Sequence, residues 1–295
     1  MTLRLPTTDQ APDSHIGKCA LCDTEDTILR ESHSIPKFAY HWVKETSSTP
    51  YLRGSDDVNV REQDGPKEHL LCDTCEGELS SMEQELSEKL FKKIANYRRQ
   101  TKEIEITEKM RVGVLSIFWR SLLTTLHRDH QRTAEDMVAV QQFLDLAKQQ
   151  IKEGVVTTPI HITPFRAEPP LYGFADELTY MLHRMVGAPD IRFFDDPHRY
   201  YAVFKLPFMF FHIRSSEWGK DLDPESAFSG TLKLDEIQIV PAFLEDYIHW
   251  LAEQYQELLQ RITPESLALI ERDSAKKKGI TGSDKSMAAS LGKNE

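Results

Sequence analysis

Apolar residues recur every three or four positions along much of the chain, and they crowd into an unbroken run in one later stretch. Leu79, Met82, Leu86, Leu90, Ile94 and Tyr97 form one stripe, which predicts a helix from just after Cys75 to about Arg99. From Glu108 to His127 almost no polar face remains, which predicts the central helix of the second half. Arg120 lies in that helix; it either meets a buried carboxylate or, the reading preferred here, snorkels to the surface on its apolar stem. Thr133 to Lys152 predicts a further amphipathic helix stopped by Gly154, and Tyr172 to Met185 has helical character. Arg199 to Arg214 is the strongest strand signal, interrupted by Pro207, with Leu232 to Val240 as a second strand. A long helix follows Pro241, with Phe243, Leu244, Tyr247, Ile248 and Leu251 on its stripe.

Residues 1–14 lack such periodicity and are expected to be a mobile arm. From Asp273 onward, Lys276, Lys277 and Lys278 and a remainder rich in Gly and Ser predict a disordered basic tail over 273–295. Between them the pattern divides into a unit at 15–100 and a helical and β domain at 105–272. No run approaches the ~18 apolar residues of a membrane span, and the N-terminus lacks the apolar core of a signal peptide, so a cytoplasmic location is expected.

All four cysteines fall in the first unit, as Cys19-Ala20-Leu21-Cys22 and Cys72-Asp73-Thr74-Cys75. Each C-x-x-C turn puts two thiolates on one side of a tight knuckle, and two knuckles make the four-thiolate shell that Zn2+ favours. In a reducing compartment this pattern points to metal rather than disulfides. A knuckle, a hairpin and a helix that begins at the second knuckle together suggest a treble clef. The expected fold class is therefore α+β, with an N-terminal ββα-like treble-clef zinc module followed by a mainly helical domain with a small β-sheet.

The segment from Cys19 to about Glu83 resembles the HNH endonuclease type of treble clef. Glu31-Ser32-His33-Ser34-Ile35-Pro36 stands where that family has its first catalytic segment, and Leu71-Cys72-Asp73-Thr74-Cys75-Glu76 where it has its last. The resemblance covers about a quarter of the chain. It implies a structural zinc on the four cysteines and a second, hydrolytic ion such as Mg2+ or Mn2+, with His33 as general base and Glu76 as an ion ligand. Ser32 stands where the family has Asp or His, Lys67 or Glu68 where it has Asn, and Glu76 where it has His or Asn. On the residues alone, His33 is equally a histidine hydrogen-bonded near the zinc knuckle, and Glu76 a carboxylate favoured at a helix N-terminus. His127 and His130 lie three apart with no third ligand nearby.

Charge bears on the partner. The chain carries a net charge of -11. His15 to Glu83 holds 7 Lys or Arg against 14 Asp or Glu, opposite in sign to a finger that grips phosphates. Nucleic acid would have to meet a local patch. Lys92, Lys93, Arg98, Arg99 and Lys102 supply it if the helix continues to residue 99, with Lys276 to Lys278 as the other basic surface. Two functions follow: an HNH-like bacterial protein acting on nucleic acid, as in defence against phage or mobile DNA, or a catalytically inactive, zinc-stabilised module that binds a protein partner.

Overall fold

In the computed structural model, which describes residues 15–125, 132–168, 171–194, 199–215 and 224–293, the chain folds as mixed helix and sheet. The zinc-type segment comprises β1 (Ile16–Gly17), β2 (Thr27–His33), α1 (Lys37–Glu45), β3 (Lys67–Cys72) and α2 (Asp73–Leu86). The three strands form one antiparallel sheet in the order β1-β2-β3. A π-helical turn (Ser87–Phe91) and α3 (Lys92–Ile94) extend α2. Next come β4 (Glu103–Glu105), α4 (Glu108–Thr125), α5 (Ala134–Glu153), β5 (His161–Pro164) and α6 (Thr179–Arg184). Strands β6 (Gly187–Phe193), β7 (Tyr200–Leu206), β8 (Met209–Arg214) and β9 (Thr231–Lys233) precede α7 (Ala242–Gln260), α8 (Pro264–Ser274) and α9 (Gly282–Ser290).

Helix α4 is the hub. Its residues from Val112 to Leu122 are all buried, and at Gly113 the helix passes close to the backbone of Met82. A helix without a polar face must be covered all round. Helix α2 packs against α4, as do α5 and strands β6 and β7. One hydrophobic cluster therefore runs without a break from Cys19 and Leu71 through α4 to Phe204 and Phe211, across the boundary expected near residue 100. Helix α5 starts at a Thr133–Asp136 capping box and stops at Gly154, whose φ of 69° needs no Cβ.

The strong strand signal at 199–214 is a hairpin. Leu206 pairs with Met209, and Pro207 and Phe208 make the two-residue turn, with Phe208 at a φ of 66°. The four-stranded antiparallel sheet has the order β5-β8-β7-β6. Alternation sends Ala202, Phe204, Phe211 and Ile213 to the α4 side, and Tyr201, Val203 and Phe210 toward α7. With both faces buried, the sequence shows an unbroken apolar run rather than an alternating one.

Several expectations are corrected. The helix expected to reach Arg99 ends at Ile94, because side chains from elsewhere take its last carbonyls. Gln100 Nε2 donates to Ile94 O at 2.8 Å, and Trp42 Nε1 donates to Ala95 O at 3.1 Å. The strand expected at 232–240 is only β9, paired with β4, and turns back where Glu236 N–H donates to Lys233 O. Arg120 does not snorkel. It is 1% exposed and its guanidinium pairs with Glu83 of α2. The chain after Asp273 is not a disordered tail, since α9 docks on α6 with Ser283, Ser286 and Ala289 buried. The arm at 1–14, His127 and His130 lie outside the described residues.

The Arg120–Glu83 pair yields the first test. Glu83→Ala leaves a guanidinium buried without its carboxylate and should cost about 3–5 kcal/mol. Replacing both residues with apolar side chains of similar volume should recover most of that loss. Urea unfolding of the two variants beside the parent measures both effects.

Candidate metal centre

The centre is assembled by two turns on neighbouring strands. In the first, Cys19 N–H donates to Thr24 O at 2.9 Å and Asp23 N–H returns to Cys19 O at 3.0 Å. Asp23 and Asp26 take left-handed conformations, with φ of 65° and 50°, that Asp tolerates better than branched residues do. Ala20 N–H donates to Leu70 O at 2.9 Å, which lays the knuckle on β3. In the second turn Cys72 ends β3, and Cys75 sits in the first turn of α2. Cys72 N–H donates to Cys19 Sγ at 3.3 Å, tying one knuckle's backbone to the other's sulfur.

The four sulfur atoms all lie within 4.8 Å of one another, and Cys22 and Cys72 are 3.8 Å apart. A disulfide needs about 2.05 Å. Four sulfurs around one ion at about 2.3 Å make a tetrahedron with edges of about 3.8 Å, so the donor set fits a tetrahedral thiolate metal site. Cys19, Cys72 and Cys75 are buried and Cys22 is half-buried. Hydrogen bonds from the side chain and backbone of Thr24 pull the Cys22 thiol down to about 6, whereas burial among the other sulfurs pushes Cys75 up. The site is also tied outward, because Lys148 of α5 reaches Asp23 of the first knuckle at 2.7 Å.

His33 and Glu76 have different partners. Consecutive strand residues face opposite ways, and their partners differ accordingly. Ser32 is buried and its Oγ donates to Glu76 Oε2 at 2.6 Å. His33 turns instead toward Asp64, with Nε2 at 2.9 Å from Oδ1. That approach is short but lies off the ring N–H direction, outside hydrogen-bond geometry. Lys67 Nζ stands 3.7 Å from Asp64 and 3.1 Å from Glu31. Among the described residues, the four cysteines are the only group of three or more His, Cys, Asp or Glu side chains placed to hold a metal ion.

The basic residues are scattered by the helix end. Lys92 lies in α3, while Arg98 and Arg99 follow it in a turn where Asn96 Oδ1 accepts both their backbone N–H groups. Lys93 is half-buried, and Lys102 pairs with Asp235 at 3.1 Å. The helical face expected for Lys92, Arg99 and Lys102 therefore does not exist. Lys276 pairs with Asp273, and Lys277 and Lys278 are exposed. Asp64 and Thr24 went unforeseen. The only sequence signal for Asp64 was its place in Asp64-Gly65 just before β3, where antiparallel pairing with β2 returns the chain to His33.

Asp64 predicts a pH effect. Burial pushes its carboxyl up, but His33, the Gly65 N–H and Lys67 outweigh burial and hold it below the ordinary aspartate value. A folded value below the unfolded one gives stability that is present at neutral pH and lost as pH falls through the folded value. Asp64→Asn should therefore flatten the fall in stability below about pH 4, as read by thermal melts across that range. Comparison of the chain with protein-family models, curated protein sequences and solved structures finds no match.

Proposed function

We propose that this chain is a zinc protein built on an HNH-like treble clef whose hydrolytic groove is closed, and that it serves as a non-hydrolytic interaction or regulatory module. The observation that carries the reading is the 2.6 Å hydrogen bond from Ser32 to Glu76. These are the two positions that, by the resemblance, would share the hydrolytic ion. Here they share a proton instead, and His33 stands beside Asp64. The acidic charge of the module supports a protein partner over a phosphate backbone.

A second reading keeps one specific support. The Asp64 carboxylate stands 2.9 Å from His33 Nε2, where a small turn of the ring would let it accept the ring N–H and orient an imidazole acting as general base. On that reading the chain is an HNH-type endonuclease using Mg2+ or Mn2+, acting on nucleic acid of phage or mobile elements. Lys92, Lys93, Arg98 and Arg99 would then be its phosphate contacts.

Metal analysis and a nuclease assay separate the two. Purified protein should carry one zinc per chain, and Cys72→Ser should lose it and unfold the first unit, since a structural zinc contributes on the order of 10 kcal/mol. Zinc-loaded protein should leave DNA and RNA intact in Mg2+ and in Mn2+. Cleavage that His33→Ala abolishes would install the endonuclease reading in place of the first.

A further inference from the structure

Three basic side chains meet behind α9, and among the described residues no acid pairs with them. Arg184 is 4% exposed, Lys205 1%, and His183 is fully buried. Arg184 donates from Nη1 to Thr46 Oγ1 and to the Tyr97 hydroxyl oxygen, each at 3.1 Å, and from Nη2 to Val43 O at 2.7 Å. Lys205 Nζ donates to the carbonyls of Leu182, Met185 and Leu206, at 2.7, 3.1 and 3.3 Å. Every one of these acceptors is a neutral oxygen. Arg120, the other deeply buried guanidinium, has a carboxylate. A buried positive charge facing only neutral dipoles leaves an uncompensated field in a medium of low dielectric.

The hydrogen bonds fix the direction of the chain of protons across this cluster. His183 Nε2 lies 2.8 Å from the carbonyl of Arg166 and must donate to it, so in the neutral ring Nδ1 is an acceptor. Burial pulls the His183 ring down to about 3, consistent with that neutral form. Ser286 Oγ, 3.2 Å from Nδ1, then gives its proton to the ring and receives one from the Tyr97 hydroxyl at 2.8 Å. Tyr97 in turn accepts from Arg184. A serine hydroxyl from α9 thus sits between the Tyr97 hydroxyl and His183 Nδ1, one hydrogen bond removed from the Arg184 guanidinium.

Helix α9 is held there weakly. Its buried residues are Ser283, Ser286 and Ala289, while Met287 and Leu291 stay exposed. It docks through Ser48 N–H to Ser283 Oγ, Ser283 N–H to Thr46 O and Tyr180 N–H to Ser290 Oγ, at 2.9, 3.0 and 2.8 Å. A nine-residue helix is marginal by itself, and burying no large apolar side chain gives it little area to hold on with. The exposed segment at 275–280 joins it to α8.

We propose that Arg184, His183 and Tyr97 form an anion site that α9 closes with the hydroxyl of Ser286, and that a small phosphate-type oxyanion takes the place of that hydroxyl when α9 lifts. The oxyanion accepts from the Tyr97 hydroxyl, the Arg184 guanidinium behind that hydroxyl supplies the balancing positive charge, and the charge of the anion favours a protonated His183 as a second donor. Binding of the anion and release of the C-terminal helix are then one coupled equilibrium.

Two measurements on the full chain test this. With inorganic phosphate, amide hydrogen exchange at 282–290 should quicken about tenfold while the melting temperature rises; chloride at matched ionic strength should do neither. Unchanged exchange and melting in phosphate would overturn the proposal. Ser286→Asp places a carboxylate in the site from within, and should melt at or above the parent and lose the phosphate response. Ser283→Asp, whose hydroxyl meets Ser48 N–H and Thr281 Oγ1 and no cation, should melt below it. If the two Asp variants lose stability equally, the cluster is saturated by its neutral partners and the proposal fails.

Discussion

The burial of α4 is the constraint on which the rest of the architecture depends. A helix with Val114, Leu115, Ile117, Phe118, Trp119 and Leu122 distributed around its circumference has no side that water can cover. The zinc-type segment supplies α2 for one side, and α5 with the β6–β7 edge of the sheet supplies the others. Placement of the cysteines follows from this. Helix α2 begins at the second knuckle, so fixing α2 on α4 fixes Cys75, and the sulfur cluster anchors one end of the helix that α4 needs. Arg120 and Glu83 sit in the α2–α4 contact itself, where a charge pair constrains which residues face each other but adds little net stability over an apolar pair.

A second, more polar set of contacts closes the molecule from the other end. The segment between α1 and β3 reaches the α7–α8 corner through Asn59, whose Nδ2 donates to Arg261 O and whose Oδ1 accepts from Thr263 N–H. Arg61 pairs with Asp273 of α8 at 2.6 Å. Phe208, at the tip of the β7–β8 hairpin, stacks on His183 and packs edge-on against Tyr97 and Trp42. The hairpin tip is therefore an apolar wedge between the zinc-type segment and α6. Around it, the joints to α8 and α9 are made of hydroxyls, amides and one buried aspartate. Such joints contribute less per contact than the α4 core, and elements held that way are the ones that open first.

Legibility in the sequence tracks the range of the interactions. The cysteine cluster was readable because a metal's geometry is written directly into C-x-x-C spacing. Helices α4, α5 and α7 were readable because core burial imposes the 3.6-residue period on the sequence. The end of the α2 extension was not, since Trp42 and Gln100, the groups that take its final carbonyls, announce themselves only in three dimensions. Strand β6 was hidden by Gly187 and Pro189, residues an edge strand accepts but a propensity argument discounts. Helix α9 was hidden by composition. Its docked face is Ser and Ala, which gives no hydrophobic period and looks like linker. Arg120 could not be settled in sequence, because Glu83 is near it only through the α2–α4 packing.

The same limit explains the reading of the HNH-like positions. Order along the chain places Ser32, His33 and Glu76 near one another, but chemistry turns on which atoms converge. Two oxygens that share a Mg2+ at about 2.1 Å in octahedral geometry lie about 3 Å apart, with the ion's charge between them. Ser32 Oγ and Glu76 Oε2 are closer than that, at 2.6 Å, with a proton between them. A neutral hydroxyl is also a poorer ligand for a hard ion than a carboxylate or an imidazole is. For an ion to enter, Ser32 must turn its hydrogen away from Glu76 inside a partly buried site, giving up a short hydrogen bond for a weak coordination bond. The strand places His33 on the opposite face, where it faces Asp64 rather than the carboxylate of Glu76. The module keeps the thiolate arrangement that holds a hairpin to a helix, while Ser32 and Glu76 are joined by a hydrogen bond and His33 stands beside Asp64.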